Sequence, residues 1–358
     1  VDGIQIYGIS TLAELITHLT DKNISLIPTP PTVIEESLIE TPVDFQDIRG
    51  QEGAKRGLEI AASGGHNVAM YGPPGTGKTM LARAFRSLLP SLTHDESLEI
   101  TSIHSIAGNL RDTVLTTPPF RSPHHTSSYV SIIGGGTFPK PGEVTLAHRG
   151  ILFLDEFPEF DKRVIESLRQ PLEDNIVSIS RAKGTAQFPS NFILVAAMNP
   201  CPCGYRGSRK RECSCTAGDI ARYQRKLSGP IMDRVDIWIE VGPIEYEKLS
   251  NKIPEGEKTV DIRERVKNAH VTQQKRFEDN TSKILRNSDM NAKDIAKYIT
   301  LSKETEELLN QSAGKLNLSA RAYHRVLKLA RTIADLDSSD TIESEHVLEA
   351  LHYRPRIQ

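Results

Sequence analysis

The sequence predicts an α/β domain built on a parallel sheet, followed by a smaller all-α domain. Short apolar runs without polar alternation predict buried strands at residues 67–71, 151–154 and 192–198. Segments with helical spacing of apolar residues separate these runs, as expected for a parallel sheet covered by helices on both faces. After Pro243 the strand signal fades, and the remaining helices are predicted near residues 260–278, 291–298, 302–313, 319–334 and 343–352.

Apolar spacing and capping residues place the individual helices. A terminal helix is predicted after Ser10 and Thr11, which are in N-cap position. Two helices inside the α/β region are marked by the apolar sets Met80, Leu81, Ala84, Phe85, Leu88 and Leu89, and Val164, Ile165, Leu168 and Leu172. Pro90 ends the first of these two helices. In the all-α region the expected caps are Ser302, Ser319 and Thr341.

The composition is that of a globular intracellular protein. The 358 residues suggest about two domains. With 44 Lys and Arg against 46 Asp and Glu, the formal net charge is −2, so any contact with nucleic acid must be local. No apolar run approaches the roughly 18 residues of a membrane span, and no signal peptide opens the chain. We therefore expect no membrane partner and a cytoplasmic location.

The N-terminal stretch does not have the pattern of a complete domain. The chain begins at Val1, and the Pro-rich residues 28–31 indicate an extended linker that cannot continue a helix. Residues 1–40 are therefore expected to be the remnant of an N-terminal domain together with its linker.

A phosphate-binding sequence follows the first predicted strand. Residues 72–79 match G-x-x-x-x-G-K-[ST] and lie between a strand and a helix, which is the context that this loop requires. Its glycines let backbone N–H groups turn toward phosphate oxygens, and the helix N-terminus adds its positive end. Lys78 is expected to reach the β- and γ-phosphates, and Thr79 to bind Mg²⁺. The predicted ATP-binding residues of the loop are Gly72, Pro73, Pro74, Gly75, Thr76, Gly77, Lys78 and Thr79.

Two adjacent acids follow the second predicted strand. Asp155 and Glu156 come directly after the apolar run 151–154, at the strand end that borders the crevice of a parallel sheet. Asp155 suits a partner of Mg²⁺, and Glu156 suits a general base that polarises the attacking water. Together with the phosphate loop, this pair predicts Mg²⁺-dependent hydrolysis of ATP.

These motifs resemble those of the AAA+ ATPases, which combine a P-loop sheet domain with a helical lid. The resemblance implies that Asn199 is the sensor-1 residue, which orients the attacking water. It implies that Arg234 is an arginine finger for a neighbouring subunit's nucleotide, that Arg321 is sensor 2 and that Ile48 borders the adenine. Whether Arg321 acts within its own subunit or across the interface stays open. The segments that carry the resemblance are 196–200, 228–234, 318–322 and 47–51.

A long insertion narrows the resemblance. About 60 residues separate the P-loop helix from the Asp-Glu strand, and their sequence is similar to that of magnesium-chelatase-like ATPases, specifically the bacterial ComM/YifB family. The matching segments are 105–108, 120–127, 134–143 and 146–150. The resemblance implies an AAA+ core over residues 41–243 and a helical lid over residues 244–358. Family members also carry a Lon-protease-like N-terminal domain, and residues 1–29 resemble only its end.

The family resemblance implies a ring-shaped motor. We expect a homo-hexamer with ATP at subunit interfaces, acting as a helicase on single-stranded or branched DNA, in branch migration during natural transformation and recombination. A hairpin near residues 176–188, with Arg181, Lys183 and Gly184 at its tip, is implied to grip DNA in the central channel. The alternatives are a magnesium-chelatase-type subunit that remodels a protein partner, and a nucleotide-dependent scaffold. His124 and His125 are expected to support the backbone of the insertion.

All four cysteines fall within fifteen positions. Cys201, Cys203, Cys213 and Cys215 form two C-x-C pairs across a short loop, which can place four thiolates around Zn²⁺. A structural zinc site is the prediction, and disulfides or free thiols are the alternatives. The segment 206–226 holds seven Lys or Arg against two acids. This local charge of +5 suits either a phosphate contact or a solvated loop.

Overall fold

The chain divides into two compact units, residues 1–37 and residues 38–358. The computed structural model describes residues 4–20, 26–29, 43–110, 114–136, 138–181, 184–207, 211–244, 256–278 and 284–355. In the first unit, helix α1 (Leu12–Thr20) begins as predicted. The Thr11 hydroxyl accepts a hydrogen bond from the Glu14 N–H (3.3 Å), and the Glu14 carboxylate accepts one from the Ser10 N–H (2.8 Å).

A five-stranded parallel sheet is the centre of the second unit. Its strands are β1 (Val68–Tyr71), β2 (Phe120–Arg121), β5 (Ile151–Leu154), β8 (Ile193–Met198) and β9 (Ile237–Glu240). Their order across the sheet is β2-β5-β8-β1-β9, with Val68 level with Val195 on one side and with Ile237 on the other. The three predicted strands are confirmed. The two short outer strands, β2 and β9, were not predicted.

Both faces of the sheet are apolar and covered. Ile151 and Phe153 of β5 point to one side, where they join a core that continues into the C-terminal helices. Leu152 and Leu154 point to the other side and join a second core. Because alternate residues of a strand face opposite sides, a strand with two buried faces has no polar alternation. The apolar runs predicted this arrangement correctly.

The described residues also form two antiparallel hairpins. Their strands are β3 (Gly134–Gly135) with β4 (Lys140–Pro141), and β6 (Ile176–Arg181) with β7 (Gly184–Pro189). The second hairpin confirms the one predicted near residues 176–188. Arg181 and Gly184 are paired in register at its end, whereas Lys183 lies outside the described residues.

The helices of the sheet domain follow the predicted order with one difference. They are α2 (Glu52–Gly64), α3 (Lys78–Phe85), α4 (His94–Ala107), α5 (Tyr129–Ile133), α6 (Glu143–Leu146), α7 (Lys162–Ser167), α8 (Arg169–Asp174), α9 (Ala217–Gln224) and α10 (Gly229–Met232). The prediction of one helix carrying both Val164 and Leu172 was wrong, because the segment is two helices that meet at Leu168. Pro171 has no N–H for the Ser167 carbonyl, so one continuous helix is disfavoured there.

The described residues of the C-terminal domain form five helices. They are α11 (Thr259–Phe277), α12 (Ala292–Tyr298), α13 (Lys303–Lys315), α14 (Ala320–Leu336) and α15 (Ser344–His352). The predicted caps Ser302 and Ser319 are confirmed, since each hydroxyl accepts an N–H from three residues on (both 3.2 Å). The prediction of Thr341 as a cap was wrong. Helix α15 begins after Glu343, whose side chain the Thr341 hydroxyl contacts (2.7 Å).

The C-terminal helices pack on α2, on the side of the sheet domain where the strands begin. Gln273 of α11 donates to the Ser63 carbonyl (2.9 Å), and His270 lies 3.1 Å from the Ala62 carbonyl. Within the described part of the chain, no helix combines the length and the apolar character that crossing a membrane requires.

Candidate functional site

The phosphate loop leaves β1 at the carboxyl edge of the sheet and enters α3. At Gly72 the chain passes so close to the neighbouring strand end that an added Cβ would collide with the Val241 carbonyl oxygen. Gly77, the residue before α3, has a φ of 91°, a backbone conformation that glycine adopts without strain. The loop therefore has the tight backbone path that a phosphate cradle needs.

Lys78 is buried and folded into its own loop. Its Nζ donates to the carbonyl oxygens of Gly72 and Pro73 (both 2.8 Å) and to Asn199 Oδ1 (3.2 Å). Burial lowers the pKa of the Lys78 ammonium, and the nearby Asp155 carboxylate partly offsets that effect. The three acceptors hold the charged group where phosphate oxygens could replace them.

The predicted Mg²⁺ residues are in direct contact. The Thr79 hydroxyl donates to Asp155 Oδ2 (2.8 Å), and Asp155 Oδ1 accepts the Glu156 N–H (2.9 Å). Glu156 has a φ of 51°, so the chain turns sharply directly after β5. Hydroxyl and carboxylate oxygens are the ligands that Mg²⁺ prefers. The arrangement fits such an ion beside the loop.

His125 contacts Glu156, which the sequence did not indicate. Its Nδ1 lies 3.1 Å from Glu156 Oε2. The expectation that His125 supports the backbone was therefore wrong. It was right for His124, whose Nδ1 accepts the Thr126 N–H (3.3 Å). No sequence signal joins residues 125 and 156, since their contact depends on the pairing of the two-residue strand β2 with β5.

Asn199 and the segment 47–51 border the same loop. The carbonyl of Asn199 accepts the Tyr223 hydroxyl (3.1 Å). Burial, with the charge of Glu159, raises the pKa of the Tyr223 phenol well above its usual value, so it remains a donor at neutral pH. Gln51 donates to the Gly242 carbonyl (2.7 Å) and contacts the Thr76 carbonyl (3.5 Å). Ile48 is 1% exposed and belongs to the main core.

Arg234 and Arg321 lie elsewhere, at the edge where the strands begin. Arg234 precedes β9, and its guanidinium donates to the Pro230 carbonyl (2.6 Å) and pairs with Glu173. Arg321, at the start of α14, contacts the other oxygen of the same carboxylate (3.3 Å). Both arginines line a cavity of 510 Å³. Glu173 was not predicted, and nothing in its sequence context marks it.

A buried carboxylate connects two elements at the edge where the strands begin. Asp236 pairs with Arg325 of α14 and accepts the Asn67 N–H (2.9 Å). Burial alone would raise the pKa of the Asp236 carboxyl. The charge of Arg325, the nearby His66 ring (3.8 Å) and the hydrogen bond from Asn67 outweigh burial and hold the pKa well below its usual range. The start of β9 and helix α14 are thereby tied together.

The four cysteines meet as predicted. All four Sγ atoms lie within 4.8 Å of one another. Three of the pairs, 201–203, 201–213 and 203–213, are 3.4, 3.6 and 3.5 Å apart. Sulfurs bound at about 2.3 Å around a tetrahedral zinc ion are about 3.8 Å from one another. The cluster could therefore bind a metal ion.

Comparison with known proteins identifies the family. The sequence model described as "Magnesium chelatase, subunit ChlI" matches residues 44–249, and "Magnesium chelatase, subunit ChlI C-terminal" matches residues 256–354. The chain is 42% identical, over 98% of its length, to the competence protein ComM of Haemophilus influenzae, of which it covers 68%. The chain belongs to the ComM/YifB family of magnesium-chelatase-like AAA+ ATPases.

Two further members of the ComM/YifB family are similar over most of the chain. YifB of Salmonella typhimurium is 44% identical over 87% of the chain, and YifB of Escherichia coli K12 is 42% identical over 91%. The chain spans 60% and 63% of the lengths of these two relatives. The fold, a parallel five-stranded sheet with surrounding helices and a helical C-terminal domain, is that of a P-loop AAA+ protein. Membership implies an ATPase and suggests oligomeric assembly.

Proposed function

We propose that this chain is the motor part of a ring, a homo-hexamer that couples ATP hydrolysis to movement along single-stranded or branched DNA. One observation supports the assembly of a ring. The phosphate loop and Asp155 lie at the carboxyl edge of the sheet, whereas Arg234 and Arg321 lie at the opposite edge. One chain therefore brings two complementary halves of a nucleotide site to two different surfaces.

The first half would bind the nucleotide. Lys78 would exchange its contacts with the Gly72 and Pro73 carbonyls for the β- and γ-phosphates. Thr79 and Asp155 would hold Mg²⁺, which supplies positive charge that neutralises the phosphate oxygens. Asn199 would orient the attacking water. Glu156 would polarise this water after the Glu156 carboxylate has given up its contact with His125.

The second half would act on the neighbouring subunit's nucleotide. Arg234 and Arg321 share the Glu173 carboxylate, so their guanidinium groups lie side by side. We propose that both arginines act in trans and stabilise negative charge on the transferred phosphoryl group. The placement of Arg321 beside Arg234 supports the trans role for sensor 2, the alternative that the sequence left open.

Three surface features support DNA as the track. Phe138, between β3 and β4, is 74% exposed, and Lys140 follows it on the same hairpin. Hairpin β6–β7 and the described basic residues of segment 206–226 add further candidate contacts; these residues are Arg206, Arg211, Arg222, Arg225 and Lys226. Exposed aromatic and basic groups suit stacking on bases and binding of phosphates. A relative is named a competence protein, in line with branch migration during natural transformation and recombination, which would take place in the cytoplasm.

A branch-migration assay tests this proposal. The chain should separate a synthetic four-way junction in an ATP-dependent manner, and single-stranded DNA should raise its ATPase rate. Lys78→Ala should abolish both activities, because the phosphate loop loses its only ammonium group. Junction separation and phosphate release are measured on the same samples.

The alternatives lead to different results in that assay. An ATPase rate indifferent to DNA and raised by a protein partner would instead support a magnesium-chelatase-type subunit, the function in the description of the matched family. Nucleotide binding without turnover would support a scaffold. The contact network of Lys78, Thr79, Asp155 and Glu156 favours hydrolysis over binding alone.

We also propose that the cysteine cluster holds a structural Zn²⁺. The sulfur separations are close to those of a tetrahedral site, and the Cys203 N–H points to Cys215 Sγ (3.4 Å). Elemental analysis of the purified protein should find about one zinc per chain. Cys213→Ser should lose most of that metal. A wild-type protein that is folded and metal-free would contradict the assignment.

A further inference from the structure

In the cysteine knuckle (residues 201–215, of which 201–207 and 211–215 are described), Gly204 lies directly against the phosphate loop. We infer that this knuckle, closed by its metal, is a support of the nucleotide site, so that metal binding and nucleotide binding strengthen each other. The inference rests on the proposed function in taking residues 72–79 as the site of ATP and the four cysteines as a zinc site. It adds a role for the metal beyond local stability of the loop.

Gly204 makes the first contact between the knuckle and the phosphate loop. A Cβ built on Gly204 would lie 2.7 Å from Pro74 Cδ and 3.8 Å from Asn199 Cγ. The knuckle backbone therefore touches the apex of the loop with no room for a side chain. The Gly204 N–H donates to the Cys201 carbonyl (2.9 Å), which closes a tight turn between two metal-ligating positions. The position of the turn depends on both cysteines.

Asn199 provides the second link. It is separated from Cys201 by Pro200 alone, and Cys201 is fully buried. The Asn199 side chain accepts the hydrogen bond from Lys78 Nζ at 3.2 Å. A fixed Cys201 therefore restricts the residue that contacts the ammonium group of the phosphate loop.

Helix α9 provides the third link. It begins immediately after Cys215, where the Thr216 hydroxyl accepts the Asp219 N–H (3.2 Å) and the Asp219 carboxylate accepts the Thr216 N–H (3.1 Å). Tyr223 of this helix donates to the Asn199 carbonyl (3.1 Å). The last cysteine thus positions a helix that returns to the same asparagine.

All three links depend on the metal ion. When four thiolates are bound to one ion, the positions of Gly204, Asn199 and α9 are fixed relative to one another. Without the ion, the Sγ atoms of Cys201, Cys203 and Cys213, which are 3.4 to 3.6 Å apart, and that of Cys215 have no common ligand, and Gly204, Asn199 and α9 are held by fewer constraints. Coupling of this kind is reciprocal, so bound nucleotide must raise the affinity for the metal by the same factor by which the metal raises the affinity for nucleotide.

Two glycines in the knuckle allow a matched test. Gly204 and Gly207 have similar left-handed backbone conformations, with φ values of 84° and 77°. An added Cβ at Gly207 meets nothing within 4 Å, whereas at Gly204 it meets Pro74. Gly204→Ala and Gly207→Ala therefore introduce the same local strain but differ in the contact with the phosphate loop.

Binding of a fluorescent ATP analogue to the full chain, in the presence of Mg²⁺, is the readout. Gly204→Ala should weaken nucleotide affinity at least about fivefold, the lower end of coupling between sites, and should keep its zinc. Gly207→Ala should stay within about twofold of the wild type. Equal affinities for the two variants would overturn the inference. Absence of nucleotide binding by the wild type would instead overturn the proposed function.

Removal of the metal is the second, independent measurement. A chelator selective for zinc over Mg²⁺ should weaken nucleotide affinity by a similar factor while the circular dichroism spectrum is retained, and added Zn²⁺ should restore it. ADP should raise the affinity of the protein for zinc, measured by equilibrium competition with the chelator. If the stripped protein unfolds, the glycine pair and the ADP effect on zinc affinity decide. A zinc affinity unaffected by ADP would overturn the inference.

Discussion

Replacement of Glu156 by Gln should stop turnover while ATP still binds. Glu156 follows β5 at the carboxyl edge and contributes no side-chain contact to the phosphate loop among the hydrogen bonds of the described residues. Loss of a general base lowers rates by about 10²- to 10⁴-fold. We expect phosphate release to fall by such a factor in Glu156→Gln, with affinity for a fluorescent ATP analogue close to that of the wild type.

Glu159→Gln is the matched control for this variant. Glu159 belongs to the same turn and pairs with Lys226 at 2.9 Å. Its replacement should leave turnover near the wild-type rate, since an exposed ion pair contributes little to stability. A Glu156→Gln protein that hydrolyses ATP as fast as Glu159→Gln would show that another group prepares the water.

Replacement of Arg234 by Ala should lower the ATPase rate by about 10³-fold or more, the effect typical of an arginine that stabilises phosphoryl transfer. Because Arg234 lies at the edge opposite the phosphate loop, the arginine of another subunit should compensate for the loss. Mixing Arg234→Ala with Lys78→Ala should restore part of the activity. In such a mixture the Lys78→Ala subunits supply the arginine to intact phosphate loops.

The double variant Lys78→Ala/Arg234→Ala is the control for the mixing experiment. It assembles through the same surfaces but lacks both the Lys78 ammonium and the Arg234 guanidinium. Adding it to Arg234→Ala should therefore restore no ATPase activity. Melting temperatures of all variants are compared, because Arg234 also bonds the Pro230 carbonyl and Glu173. Equal rates in the two mixtures would mean that Arg234 acts on its own subunit's nucleotide.

Much of the fold and half of the site could be predicted from local patterns. The run 151–154 and the phosphate loop are continuous in sequence, and their chemistry depends on residues a few positions apart. The cysteines could be predicted for the same reason, since two close pairs span one short loop. The family resemblance, rather than local spacing, placed the hairpin near residues 176–188 correctly.

The remaining features depend on contacts between distant segments. The pairing of His125 with Glu156 needs β2, a strand of two residues that no pattern marks. Glu173 meets Arg321 across 148 positions of sequence. The split between α7 and α8 followed from Pro171, a local signal that the apolar spacing of the segment had outweighed.

The placement of complementary groups at two edges of the sheet has a consequence for assembly. Under the proposed arrangement, an open row of subunits always leaves one unused phosphate loop at one end and one unused arginine pair at the other. A row of any length thus has one working centre fewer than it has chains. Joining the two ends completes the missing centre without adding a chain. A closed ring therefore has one more working centre than an open row of the same number of chains.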